Sequence, residues 1–106
     1  MFDAYRASRA LEGHLADGDA LQVLASDDVS RNYWCLTKQD LIVLKGDAIV
    51  GRVPLERLHG EVRSTSNGIE VRVTDTKGGR VLIASFRRAN KLTKQLAALL
   101  AGPQPG

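Results

Sequence analysis

The feature that most constrains this chain is a series of short apolar segments separated by polar turns. Two of them lie in residues 31–45, RNYWCLTKQDLIVLK, on either side of a turn at 37–40. Farther along, residues 69–73 alternate apolar and polar side chains, and Gly78-Gly79 follows that segment. Such alternation, interrupted by turn residues, is typical of half-buried strands joined in hairpins. The pattern predicts a small antiparallel barrel or sandwich over residues 21–86.

Seven segments fit strands, and a helical pattern follows them. From Arg88 to Ala101 the apolar spacing changes from every second residue to the period of a helix with one apolar face. Apolar residues also recur on one face of residues 3–16, which predicts a short N-terminal helix. The fold class is therefore mainly β (α+β): a seven-stranded antiparallel barrel or sandwich capped by a C-terminal amphipathic helix. The predicted strands are 20–26, 31–37, 40–45, 48–53, 58–65, 68–74 and 79–86.

The length of 106 residues sets the expected domain organisation. A chain of this size forms one domain and buries roughly two-thirds of its unfolded surface on folding. The predicted division is an N-terminal helix over 1–17, the β domain over 18–101 and a disordered tail, GPQPG, over 102–106.

Hydropathy and cysteine content indicate the compartment. No apolar run approaches the ~20 residues of a membrane-spanning helix. The N-terminal sequence MFDAYRASRALEGHL lacks the continuous apolar segment of a secretory signal, and the single cysteine, Cys35, excludes an internal disulfide. We therefore expect a cytoplasmic protein. Cys35 and Trp34 are predicted to be core residues, whereas Tyr33 points to the opposite face from Trp34 and is expected to be partly buried.

Charge is distributed unevenly along the chain. Residues 1–50 contain five Lys/Arg and eight Asp/Glu, and residues 51–106 contain ten and four, so the halves carry −3 and +6. This asymmetry can attract an anionic partner or favour head-to-tail self-association. A solvated surface that only keeps the protein soluble is an equally open interpretation.

The basic residues of the second half form the candidate interaction surface. Three of them alternate with apolar residues and would form a stripe if their strands were neighbours, and four surround the start of the last helix. Nucleic-acid binding is not predicted, because this half offers no exposed aromatic residues on which bases could stack. The candidate residues are Arg63, Arg72, Arg80, Arg87, Arg88, Lys91 and Lys94.

No pattern of catalytic or metal-binding residues stands out. His14 and His59 are far apart and lack a second cysteine, so a zinc site is not predicted. No Gly-x-Ser-x-Gly motif frames a nucleophile, and Asp27-Asp28 is a pattern more typical of turns than of acid–base catalysis. We therefore predict no enzyme activity, no cofactor and no metal.

Seven strands followed by one terminal helix resemble the pleckstrin-homology superfold, and local sequence resembles the bacterial pleckstrin-homology (PH)-like domain family over roughly residues 16–101. The resemblance implies an interaction or oligomerisation module more than a lipid sensor. Relatives that bind phosphoinositides have several Lys/Arg around the first hairpin loop, whereas this loop contains Asp27 and Asp28, so the usual lipid pocket is expected to be missing. The matching segments are Gly18-Asp19 before 21–24, the hairpin 36–44, residues 53–58, residues 68–71, and Phe86, Arg87 and Asn90.

These observations predict a non-catalytic protein-binding and assembly module that associates with itself. Strand-edge pairing or docking of a helix face would provide the contact, since neither needs a special motif. The alternative is peripheral attachment to anionic membrane lipids through the four cations around the last helix, Arg87, Arg88, Lys91 and Lys94.

Overall fold

The computed structural model describes residues 3–101, which form two antiparallel sheets and two helices. The four-stranded sheet has the order β1-β2-β3-β4, and the three-stranded sheet has the order β5-β6-β7. A short 3-10 turn, Leu55–Arg57, connects the two sheets. The helices are α1, Ala4–Glu12, and α2, Lys91–Ala101, and the strands are β1 Leu21–Ser26, β2 Tyr33–Thr37, β3 Asp40–Lys45, β4 Ala48–Pro54, β5 Leu58–Thr65, β6 Gly68–Asp75 and β7 Val81–Phe86.

The predicted mainly β fold is confirmed, but both helices are shorter than predicted. Helix α1 ends at Glu12 and not at residue 16, because Gly13 closes it with a bond from its N–H to the Leu11 carbonyl. Helix α2 begins at Lys91 and not at Arg88. The predicted disordered tail, 102–106, lies outside the described residues.

The late start of α2 is explained by a reciprocal cap. The Asn90 Oδ1 atom accepts a hydrogen bond from the Thr93 N–H at 2.9 Å, and the Thr93 hydroxyl accepts one from the Asn90 N–H at 2.8 Å. This exchange satisfies backbone donors that the first helical turn leaves free. Arg88 therefore lies before the helix, in the segment that connects it to β7.

The main core lies between the two sheets and under α2. Trp34 of β2 is 1% exposed and points into this core, as predicted. Helix α2 packs chiefly against β5 and also contacts β1 and β2. The buried residues of this core are Trp34, Leu36, Leu41, Val43, Val71, Val73, Ala84, Phe86, Leu92 and Leu96.

A second, smaller core lies on the other face of the four-stranded sheet, under α1. Ala7 and Leu11 of α1 pack with Cys35, Ile42 and Leu44 of β2 and β3. Strands β2 and β3 are therefore buried on both faces, which explains why their sequences are nearly continuous apolar runs. The predicted burial of Cys35 is confirmed, and burial raises the pKa of its thiol to about 12, which keeps the thiol protonated and unreactive at neutral pH.

Candidate interaction surface

Two of the predicted arginines lie on the outer face of the three-stranded sheet, each opposite a glutamate. The register between β5 and β6 pairs Glu61 with Arg72 and Arg63 with Glu70. The Arg63 Nη2 atom lies 2.9 Å from Glu70 Oε1, and Arg63 Nη1 lies 4.0 Å from Glu61 Oε1. Charges of both signs therefore alternate across these strands, and the arginines do not form a continuous basic stripe.

The third arginine of the predicted stripe, Arg80, lies just before β7. Its Nη2 atom donates a hydrogen bond to the Val50 carbonyl oxygen of β4. The side chain thus connects the first residues of the β7 strand to the other sheet. Arg80 is exposed, but it is directed to β4 and not aligned with Arg63 and Arg72.

The other four predicted residues, here called the basic segment, are Arg87, Arg88, Lys91 and Lys94. All four are exposed, and they follow one another across the connection from β7 to α2. None of them takes part in an ion pair within residues 3–101. Arg87 and Arg88 thus lie between β7 and α2, and Lys91 and Lys94 lie in the first turn of α2, whereas Arg63 and Arg72 lie in β5 and β6.

In the second half of the chain, most acidic side chains form ion pairs within the fold, but most basic side chains do not. Glu61 and Glu70 pair with Arg63, and Asp75 pairs with Arg57, which leaves Glu56 as the one unpaired acid within residues 51–101. Seven exposed cations of the same range have no ion pair within the described part of the chain. They are Arg72, Lys77, Arg80, Arg87, Arg88, Lys91 and Lys94.

A buried carboxylate, that of Asp27, connects the β1–β2 loop to β7 by a hydrogen bond. Asp27, which is 2% exposed, accepts hydrogen bonds from the Val29 N–H at 2.9 Å, the Ser30 hydroxyl at 2.7 Å and the Ser85 N–H at 3.2 Å. The Asp28 N–H donates to the Ser85 carbonyl at 2.8 Å. Asp27 and Asp28 were predicted only as turn residues, but their hydrogen bonds to Ser85 also join the two sheets.

Asp75 and Arg57 form a two-bond ion pair where β6 ends. The Arg57 Nε and Nη2 atoms each lie 3.0 Å from an Asp75 carboxylate oxygen. The hydrogen bonds from Arg57 are the main reason that the pKa of Asp75 falls below its ordinary value of 3.8. The pair connects the 3-10 turn to the last residue of β6.

This pKa shift predicts a loss of stability in acid. Because the pKa of Asp75 is lower in the folded than in the unfolded chain, its contribution is complete above the unfolded pKa and disappears as pH falls through the folded pKa. We expect wild type to be more stable than Asp75→Asn at pH 7 and the difference to shrink below about pH 4. Urea denaturation of both proteins between pH 7 and pH 2 measures it; a difference that stays constant with pH would contradict the prediction.

Residues 3–101 meet neither the requirements of a metal site nor those of a membrane-spanning helix. Within residues 3–101, no three His, Cys, Asp or Glu side chains lie close enough to hold a metal ion. Neither of the two described helices is long and apolar enough to cross a bilayer. Every buried side-chain nitrogen and oxygen among these residues has a hydrogen-bond partner.

The chain has the PH-like fold. This fold consists of two antiparallel sheets, here of four and three strands, followed by a helix that packs on the core between them. The chain is similar to the crystal structure of a pleckstrin homology domain from Shewanella amazonensis SB2B, with a TM-score of 0.62 and 18% sequence identity. The match covers 94% of this chain and 100% of that domain. No protein-family model and no curated protein matches the chain.

Proposed function

We propose that this chain is a non-catalytic protein-binding and assembly module whose copies associate with one another by complementary charge. The observation that carries the proposal is that most acids of the second half form ion pairs within the fold, whereas most of its cations do not. Within residues 51–101, three of the four acids are neutralised internally, whereas seven exposed cations are not. The unpaired groups of this range are therefore seven cations and one acid, Glu56, so almost all of its unpaired charge is positive.

The first half of the chain has a net charge of −3, and its surface carries exposed acids alongside its exposed cations. Glu12, Asp17 and Asp47 are exposed and take part in no ion pair within residues 3–101. Surfaces of opposite sign on one molecule attract the surfaces of another copy in a head-to-tail arrangement. Exposed charge pairs add little affinity each and are screened by salt, so the association is expected to be weak and salt-sensitive.

Light scattering at low and high salt measures self-association. We expect an average mass above the monomer at low salt that falls to the monomer mass at about 0.5 M salt, where the screening length is only a few ångströms. Changing the basic segment, Arg87, Arg88, Lys91 and Lys94, to glutamine should give a monomer at low salt. A monomeric wild type at low salt and high protein concentration would contradict self-association.

A matched control separates this mechanism from a general effect of net charge. Four exposed cations of the first half, Arg6, Arg9, Lys38 and Lys45, can be changed to glutamine for the same loss of charge. This control should still associate at low salt. Equal loss of association in both variants would mean that the basic segment has no specific role.

Attachment to anionic membranes is the second candidate, because the four cations of the basic segment are exposed and unpaired within residues 3–101. Each cation near an anionic surface contributes about 1 kcal/mol, so the set gives weak, salt-sensitive binding unless an apolar side chain also inserts. The exposed large apolar residue of α2, Leu99, lies two turns after Lys91 and does not accompany the four cations.

We therefore expect little co-sedimentation with vesicles of physiological anionic lipid content at about 0.15 M salt. The glutamine variant of the basic segment should behave like wild type in this assay, and neutral vesicles provide the baseline. Strong retention of wild type on anionic vesicles, lost in the variant, would make membrane attachment the better proposal.

A further inference from the structure

Strand β7 forms one edge of the three-stranded sheet, and the two halves of that edge differ. Its neighbour in the sheet is β6. The C-terminal half of the edge is covered by the β1–β2 loop, because the Asp28 N–H donates to the Ser85 carbonyl and Asp27 accepts from the Ser85 N–H. The Arg87 N–H donates to Asp28 Oδ2 at 2.7 Å, which extends this cover past the end of the strand.

The N-terminal half of the edge has backbone groups with no partner. Asp75 donates its N–H to the Arg80 carbonyl, so these two residues form a hydrogen-bonded pair of the β6–β7 ladder. Such pairs alternate with pairs whose N–H and C=O groups point away from each other. Counting from Arg80, the outward-pointing residues of β7 are Val81, Ile83 and Ser85, and the bonds of Ser85 to the β1–β2 loop agree with this count.

Val81 and Ile83 therefore present two N–H and two C=O groups outward, and no other group within residues 3–101 bonds to them. Both residues are 49% exposed, although both are large and β-branched. The opposite edge of the sheet, β5, is the main packing partner of α2. An open edge with exposed β-branched residues is suited to pair with an added strand.

We propose that the Val81–Ile83 edge of β7 binds an extended, acidic segment of a partner protein as an added antiparallel strand. The backbone groups require an extended occupant, and the flanking charges select an acidic one. Lys77 and Arg80 precede the open half of the edge, and neither has an ion pair within the described residues. The inference goes beyond self-association, and neither proposal depends on the other.

A second copy of this chain fits the same edge less well. Pairing Val81 of one copy with Ile83 of the other would place Lys77 toward Arg87 at both ends of the joint strand pair. Like charges that face each other across strands are destabilising. An acidic occupant would instead place carboxylates beside Lys77 and Arg80, where the open half of the edge begins.

Titration of the isotope-labelled chain with a defined peptide tests the proposal by nuclear magnetic resonance. The probe is the capped nine-residue peptide Glu-Asp-Val-Thr-Val-Thr-Val-Asp-Glu, used at salt and protein concentrations where light scattering shows a monomer. We expect the amide signals of Val81 and Ile83 to shift and approach saturation at about 1 mM probe. Absence of shifts at these two amides would overturn the proposal.

Two further peptides separate strand pairing and charge from general apolar contact. A peptide with the three central backbone nitrogens methylated keeps its side chains but loses the donors of a strand, and it should not bind. A peptide with lysines at its four acidic positions should bind at least about tenfold more weakly, as a loss of one or two favourable charge contacts implies. Equal binding of either control would overturn the proposal.

Variants of the chain locate the site. Ile83→Glu and Val81→Glu place a carboxylate on the edge and should each weaken probe binding about tenfold or more. Leu99→Glu is the matched control, because Leu99 is 45% exposed on α2, away from β7, and it should bind the probe like wild type. Unchanged binding of the probe by both edge variants would contradict the proposal. Adding unlabelled chain without peptide should leave the Val81 and Ile83 signals in place, and shifts there would also contradict it.

Discussion

Replacing Leu96 with alanine is expected to lower the free energy of unfolding by about 2–5 kcal/mol. Leu96 is fully buried and belongs to the core between the sheets, together with Leu92 of the same helix and Trp34 of β2. Truncation removes apolar contacts and leaves a cavity that a helix fixed by its other contacts fills incompletely. Urea denaturation followed by the fluorescence of Trp34, the single tryptophan, measures the loss.

Leu99→Ala provides a matched control on the same helix. Leu99 is 45% exposed, so the same truncation there should cost well under half as much as at Leu96. A loss below about 0.5 kcal/mol at Leu96 would contradict the conclusion that α2 completes the core.

Replacing Gly60 with alanine is expected to lower the free energy of unfolding by about 2–6 kcal/mol, the sum of a backbone strain and a steric overlap. Gly60 lies in β5 with a φ of 147°, which other residues rarely adopt. A Cβ atom at this position would lie 2.1 Å from the Arg72 carbonyl oxygen and 2.8 Å from the Val73 Cα of β6. Both neighbours are backbone atoms, so the overlap can be relieved only by separating paired strands.

Two other glycines separate strain from overlap. Gly79 has a φ of 69°, and no atom lies within 4 Å of a Cβ built there. Gly79→Ala should therefore introduce backbone strain without a steric overlap. Gly78 has equally open space without the left-handed φ, and Gly78→Ala should leave stability nearly unchanged. If Gly60→Ala were no more destabilising than Gly79→Ala, the close approach of β5 and β6 would not limit this position.

The strand pattern was predictable because it depends on local periodicity. Val71 and Val73 are buried and Arg72 between them is exposed, as alternation in a half-buried strand requires. Periodicity does not identify what covers a face, however. The apolar face of α1 was visible in the sequence, but its packing on Cys35 and Ile42 depends on contacts between distant segments.

The candidate site was only partly predictable for the same reason. The cross-strand neighbours of Arg63 and Arg72 depend on the register of the β5–β6 hairpin. The sequence already shows Glu61 and Arg63 on the same face of β5, which indicates charges of both signs there. The bond from Ser85 to Asp27 joins residues 58 positions apart, and no local pattern marks it. A buried aspartate and a turn aspartate have the same appearance in a sequence.

The burial of β2 and β3 on both faces also bears on how this sequence can vary. In β6, Arg72 is exposed and Glu70 and Thr74 are half-buried, so these positions can change at less cost in packing than buried ones. The β2–β3 hairpin has almost no such positions, since Trp34 faces one core and Cys35 the other. Substitutions should therefore accumulate over time in the three-stranded sheet much sooner than in this hairpin, where a change on either face needs a compensating change in α1 or in the main core.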